Sequence, residues 1–193
     1  WKVDPENKLI VESGKQNKLQ YSISHFVFEN GRQSFGLKSE GGNHKLLFGN
    51  YSLQNLLNIV SYKSGDEPAA PLGKIIKGDL DGTVVVASGE NKEDFNVDLV
   101  INELTVFDTL GGKLSLKADA KDNVLKIDAG LYGEQNNIRI NGTAENYSGV
   151  PELDLKSTLD INNLSRIESF SLGTLSQMSG KINSQIAIKG TTE

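Results

Sequence analysis

Two histidines, His25 and His44, are the first residues to weigh for acid–base chemistry. A catalytic histidine needs an orienting partner and a nucleophile or metal to serve. His25 lies inside a strand-like run and His44 beside a glycine turn, and no serine elbow, phosphate loop or His-rich metal spacing accompanies either. Both read as structural or solvated. Asp79-Leu80-Asp81-Gly82 has the look of a calcium-loop opening, but the later ligand positions and the closing glutamate do not follow. Carboxylates gather at Glu90, Glu93, Asp94 and Asp98. Glycosidase chemistry would need a defined separation between two of them in space, and a solvated face accounts for them more simply. Asn50-Tyr51-Ser52, Asn141-Gly142-Thr143, Asn146-Tyr147-Ser148 and Asn163-Leu164-Ser165 match the N-glycosylation pattern, which matters only in a eukaryotic secretory route. Zero cysteines remove thiol catalysis, disulfides and Cys-based metal sites. The reading is a non-enzyme with no cofactor and no metal.

The elements that would position any such residues are nearly all strands. Phe95–Ile101, Lys113–Ala118, Val124–Ala129, Asn137–Asn141, Glu152–Lys156 and Lys181–Lys189 each alternate aliphatic with polar residues. That period of two marks a strand with one dry face and one wet face. The chain has 193 residues, enough for one domain, and a net charge of −5 with no basic block, so a nucleic-acid footprint is absent. No apolar run is long enough to span a bilayer as a helix, and no signal peptide is present. Aromatic residues are few, and Leu, Ile and Val supply most of the apolar side chains. Such a lining suits flexible hydrocarbon as well as protein core.

At the N-terminal end, Leu9–Glu12 and Lys18–Glu29 read as strands, followed by a hairpin turn at Asn30-Gly31 and a strand over Gln33–Ser39. The alternation slips near His25, which predicts a bulge or a change of face. Gly41-Gly42 marks the next turn. One short helix is expected near residues 52–62: Ser52 can cap it, and Leu53, Leu56, Leu57 and Val60 form an apolar stripe. That stripe suits packing on a sheet, or a lid on an open channel. A further helical turn fits Leu164–Phe170. Ser64–Pro71, polar and broken by two prolines, is the best linker, so residues 1–193 form a single β-rich segment with a weak subdivision at 64–72. Lys77–Val86, Gly111–Leu116 and Ser179–Ile188 share a small or Gly-rich opening and an alternating strand at irregular spacing, which predicts stacked antiparallel strands rather than a solenoid.

Trp1-Lys2-Val3-Asp4-Pro5-Glu6-Asn7 opens the strand series, a helix follows Tyr51, Gly78-Asp79-Leu80-Asp81-Gly82-Thr83 comes next, and Met178–Thr191 closes it. In this order the chain resembles bacterial TamB-type proteins, the translocation and assembly module family of the AsmA-like, bridge-like lipid-transfer superfamily. Its asparagine-rich style is similar to members from Bacteroidota-like bacteria. The resemblance implies an all-β fold, a curled antiparallel sheet forming an elongated half-pipe (β-taco) with an apolar interior. It further implies a parent protein anchored in the inner membrane, with a body that crosses the periplasm of a diderm bacterium. Phospholipid movement between the membranes and support of outer-membrane protein assembly are the implied roles, with no catalytic residues. The chain would be an internal slice of that body, and contact with an outer-membrane assembly protein would fall to other parts of the parent.

On this reading acyl chains lie along Leu99, Ile101, Leu114, Leu116, Leu125, Ile127, Ile138, Ile140, Leu153, Leu155, Ile186 and Ile188. The alternative is a closed β-structural module that recruits partners by β-augmentation. A carbohydrate-binding or adhesin-like sandwich would need aromatic platforms, which are scarce. Weak self-association through unpaired sheet edges is also expected.

Overall fold

A computed structural model describes residues 1–13, 19–40, 42–61, 72–87, 94–168, 171 and 174–191. The strands are β1 (Lys2–Val3), β2 (Lys8–Ser13), β3 (Leu19–Asn30), β4 (Gln33–Glu40), β5 (Asn43–Ser52), β6 (Ile76–Ala87), β7 (Phe95–Val106), β8 (Thr109–Lys121), β9 (Val124–Tyr132), β10 (Asn136–Glu145), β11 (Glu152–Ile161) and β12 (Ile182–Thr191). All twelve belong to one sheet, and from β3 to β12 each strand pairs with the next in sequence. Every pairing is antiparallel. β1 and β2 both lie on β3, so they share the first edge, and β12 is the other edge.

Tight turns make this meander. Asn30 pairs with Gln33, which leaves Gly31-Arg32 as the two-residue loop, with a positive φ of 62° at Gly31. The turn expected at Asn30-Gly31 is therefore shifted by one residue, because Gly at the first loop position suits a type II′ hairpin. Asp122 and Asn123 both have positive φ between the paired Lys121 and Val124, the pattern of a type I′ turn. Phe107 and Asp108 do the same between Val106 and Thr109. The Phe107 N–H donates to the Ile75 carbonyl at 2.9 Å, and Lys77 pairs with Asp108 at 2.6 Å, so this strained tip is tied to β6. The slip expected near His25 is a bulge: Lys8 faces His25, Leu9 faces Ile23, and Ser24 is the extra residue.

Two glycines in mid-strand help curl the sheet. Gly82 and Gly142 have φ of 127° and 149°, and a Cβ on either would collide with a neighbouring backbone carbonyl, of Asp98 and Asp154 respectively. Such positions mark a bend or a close backbone approach. With the bulges in β5, β7 and β8, they fold the strands into an open half-pipe whose long axis runs along the stack of strands. Ten inter-strand steps of about 4.8 Å give a length on the order of 50 Å.

The helices sit on one lip of the half-pipe. α1 (Leu53–Ser61) and α2 (Leu72–Ile75) connect β5 to β6, and α3 (Ser165–Glu168) lies between β11 and β12 at the same end of the strands. Ser52 caps α1 as expected, its Oγ accepting from the Asn55 N–H at 3.4 Å. One short helix was expected near residues 52–62, with a further turn near 164–170; α2 is an addition. It packs on α1 through the buried Gly73, where a side chain would strike Gln54 and Asn58. Residues 62–71, which hold most of the expected linker, lie outside the described residues. On either side of them β5 and β6 pair from Asn43 to Ser52, so the sheet continues unbroken.

Candidate functional site

Residues opposite each other in an antiparallel ladder point to the same face, so the register assigns the faces. One row reads Val3, Phe28, Phe35, Phe48, Gly82, Leu99, Leu116, Ala129, Ile140, Ser157, Ile186 across eleven strands. The next reads Phe26, Leu37, Leu46, Val84, Val97, Ala118, Ile127, Gly142, Leu155, Ile188. Ile101, Leu114, Leu131 and Ile138 form a third, and Phe95, Ala120, Leu125, Ala144 and Leu153 a fourth. All twelve residues singled out in the sequence fall on this one face. Gly, Ala or Ser interrupts the large side chains of the first, second and fourth rows, which relieves crowding where the inner face is concave.

No second layer covers this face among the described residues, and no described side chain is completely buried. Ile140, Ile186 and Ile188 remain 40%, 44% and 50% exposed. The whole chain exposes 13006 Å², against about 9,000 Å² for a compact monomer of this mass. Among the described residues, the buried apolar side chains lie at the lips. Beside the helices, Leu53, Leu80, Leu104 and Val106 are buried. At the opposite lip Ala120 and Ala144 are buried. There Tyr147, from the β10–β11 loop, meets Phe95 edge-on with ring centroids 6.3 Å apart. Under α3 a cavity of about 190 Å³ is lined by Leu110, Leu131, Ile167 and Arg166 among others, below the range of small-molecule sites at roughly 300 Å³ or more. Asn136 anchors that lip: its side chain donates to the Asn163 carbonyl at 2.9 Å and accepts from the Asn163 N–H at 3.0 Å.

The other face is wet and charged. Lys117 pairs with Asp98 at 3.0 Å, Lys189 with Asp154 at 2.8 Å, and Arg139 grips Asp128 through both Nε and Nη2. The Arg139 hydrogen bonds hold the Asp128 carboxyl below its ordinary value, and Lys189 does the same for Asp154. These exposed pairs add little stability. Their use is to keep this face in water and thereby fix the register.

The residues first weighed for chemistry have structural partners. His44 Nδ1 lies 2.8 Å from Ser39 Oγ across the β4–β5 ladder. Asp81 accepts from the Asn50 N–H at 2.7 Å and from Asn102 Nδ2 at 3.1 Å, stitching the β5 bulge to the β7 bulge. That role has no signal in a single sequence, because both partners are distant along the chain. Glu90 and Glu93 lie outside the described residues, and Asp98 belongs to the Lys117 pair.

Among the described residues one trio could offer metal-type donors: Asp4, Glu6 and His25, within 4.8 Å of one another. Its atoms already serve the turn. Asp4 Oδ1 accepts from the Glu6 N–H at 2.8 Å, Asp4 Oδ2 lies 3.2 Å from His25 Nε2, and Lys8 and Lys38 both face His25 in the ladder. The Glu6 N–H and then His25 pull the Asp4 carboxyl below its ordinary value.

The sequence reading passed over the aromatic end of the inner face. Phe35, Phe48 and Tyr51 meet one another at 5.6–6.2 Å, Trp1 meets Tyr51 at 6.0 Å, and Phe26 meets Phe28 at 4.7 Å. The signal was present in the alternation of Phe26 with Phe28 and of Phe35 with Leu37. Comparison of the chain with protein-family models, with curated proteins and with solved structures gave no match.

Proposed function

We propose that the inner face is a non-enzymatic groove for phospholipid acyl chains. The observation that carries this reading is a single apolar face, continuous across the sheet, that no second layer covers among the described residues. Exposed apolar surface of this extent marks a binding site in a soluble chain. Burying about 16 methylenes at roughly 0.8 kcal/mol each supplies on the order of 13 kcal/mol before entropy costs. A wall of Leu, Ile and Val offers no polar anchor, so a chain held there is free to slide along it. The TamB-like order of features extends the proposal to a periplasm-spanning parent, anchored in the inner membrane, that moves phospholipid between the two membranes and supports outer-membrane protein assembly.

Native mass spectrometry of the purified chain tests the groove, with uptake of fluorescent phospholipid from vesicles as a second readout. Lipid-bound mass and saturable uptake are expected; a chain that repeatedly carries and takes up none overturns the reading. The second reading, a structural module that recruits strands by β-augmentation, rests on β12, which pairs with β11 alone among the described residues.

A further inference from the structure

The cavity under α3 is lined by two charges of opposite sign, Arg166 of α3 and Glu134 of the β9–β10 turn, together with the apolar Leu110, Leu131 and Ile167. Arg166 is half-buried and Glu134 is exposed. Among the described residues neither makes an ion pair or a hydrogen bond, with the other or with any third group. On the outer face, by contrast, Lys117, Arg139 and Lys189 each hold a carboxylate at 2.8–3.0 Å. A guanidinium presents its donors as a planar fork. A half-buried one beside an apolar recess, with no carboxylate on it, is placed for an anion from outside.

The place is held firmly. The buried Asn136 exchanges two hydrogen bonds with the Asn163 backbone. Asn163 Oδ1 in turn accepts from the Ser165 N–H at 3.1 Å and from Ser165 Oγ at 2.6 Å. Past Arg166, the Met178 N–H donates to Glu168 Oε2 at 3.3 Å. α3 is tied at both ends, so the Arg166 backbone is positioned before a ligand arrives. The cavity also meets the groove, because Leu131 stands in the inner-face row with Ile101, Leu114 and Ile138. At about 190 Å³ it is too small for a whole lipid. An amphiphile lying on the inner face, however, must put its polar end where that face meets water, which is at a lip.

We propose that this cavity is a headgroup site for a zwitterionic phospholipid, with Arg166 on the phosphodiester and Glu134 on the ammonium. The proposal rests on the groove reading for the acyl chains and adds to it the class of headgroup. The guanidinium meets two phosphate oxygens through parallel N–H donors. The ammonium lies beside Glu134, which disfavours a headgroup of net negative charge. The aliphatic wall has no such anchor, so lipid is held at this lip and slides elsewhere.

The test uses the 193-residue chain and vesicles carrying one of three fluorescent lipids with identical acyl chains: phosphatidylethanolamine, phosphatidylglycerol or diacylglycerol. Phosphatidylethanolamine is expected to be taken up with the highest affinity. Arg166→Gln is expected to weaken uptake of both phospholipids about tenfold and to leave diacylglycerol unchanged. Arg166→Lys keeps the charge without the fork and is expected to fall between. Glu134→Gln, at an exposed site, is expected to erase the preference for phosphatidylethanolamine over phosphatidylglycerol. Melting curves separate lost binding from lost fold; should Arg166→Gln unfold, Glu134→Gln decides alone. Equimolar inorganic phosphate is expected to leave phosphatidylethanolamine bound, and displacement by it would assign the site to free phosphate and overturn the proposal. Equal uptake of the three lipids, unaltered by Arg166→Gln and Glu134→Gln, would overturn the headgroup site and leave the groove standing. Uptake of none would overturn both.

Discussion

The inner face has two halves of unlike character. Across β1–β5 it is aromatic, and the rings of Trp1, Phe35, Phe48 and Tyr51 satisfy one another at 5.6–6.2 Å. Across β7–β12 it is aliphatic, and its outermost members, Ile140, Ile186 and Ile188, stay about half exposed. An aromatic cluster is a small core in its own right, because offset and edge-on rings contribute beyond their buried area. An aliphatic row broken by Ala129 and Ser157 leaves its large side chains without such partners. On the proposed reading one apolar face does two jobs: the first half holds the sheet together, and the second receives the acyl chains.

That contrast can be broken at the bend the two halves share. Gly82→Ala places a Cβ against the Asp98 carbonyl at a φ of 127°, and a loss of about 3 kcal/mol is expected in denaturant melts. A fully stable variant would show that the curl does not depend on this glycine. The halves separate next by truncation. Phe35→Ala is expected to cost about 2–3 kcal/mol, while Ile186→Ala, at a 44% exposed site, is expected to change stability by less than about 0.5 kcal/mol. Charge sharpens the same point: Leu116→Asp and Ile140→Lys are expected to abolish lipid loading while shifting the melting temperature little. Variants that simply unfold would show that this half is core rather than groove wall.

A smaller effect attaches to the stitch between the bulges. Asp81→Ala removes acceptors from the Asn50 N–H and Asn102, and about 1–2 kcal/mol is expected. The smallest effect is acid dependence of the outer face. Asp128 and Asp154 are held below their ordinary value of 3.8 by Arg139 and Lys189. Their contribution is fully present above that value and is lost as pH falls through their lowered folded values. Arg139→Gln is expected to lower stability slightly at pH 7 and to flatten the stability–pH curve below pH 4, where the contribution of the pair is lost.

Much of this architecture is legible in the residues. Every alternating run from Phe95 to Lys189 is a strand, the Ser52 cap and its helix stand where the apolar stripe puts them, and Leu164–Phe170 contains the turn of α3. These features depend on neighbours within a few residues, so a single chain suffices to show them. Because a strand has a period of two, the same alternation put the twelve aliphatic residues on a common face once the hairpins set the register. Tertiary structure decided the rest. Whether the dry face closes on a second layer or stays open is a matter of sheet curl, set by Gly82, Gly142 and bulges whose partners lie on neighbouring strands. The aromatic and aliphatic halves share one surface only because ten strand pairings carry the register across the sheet. The seal on the β3 backbone at Val27 likewise comes from Asn7, far away along the chain. Local pattern sets which way a side chain points, and only the assembled ladder sets what it faces.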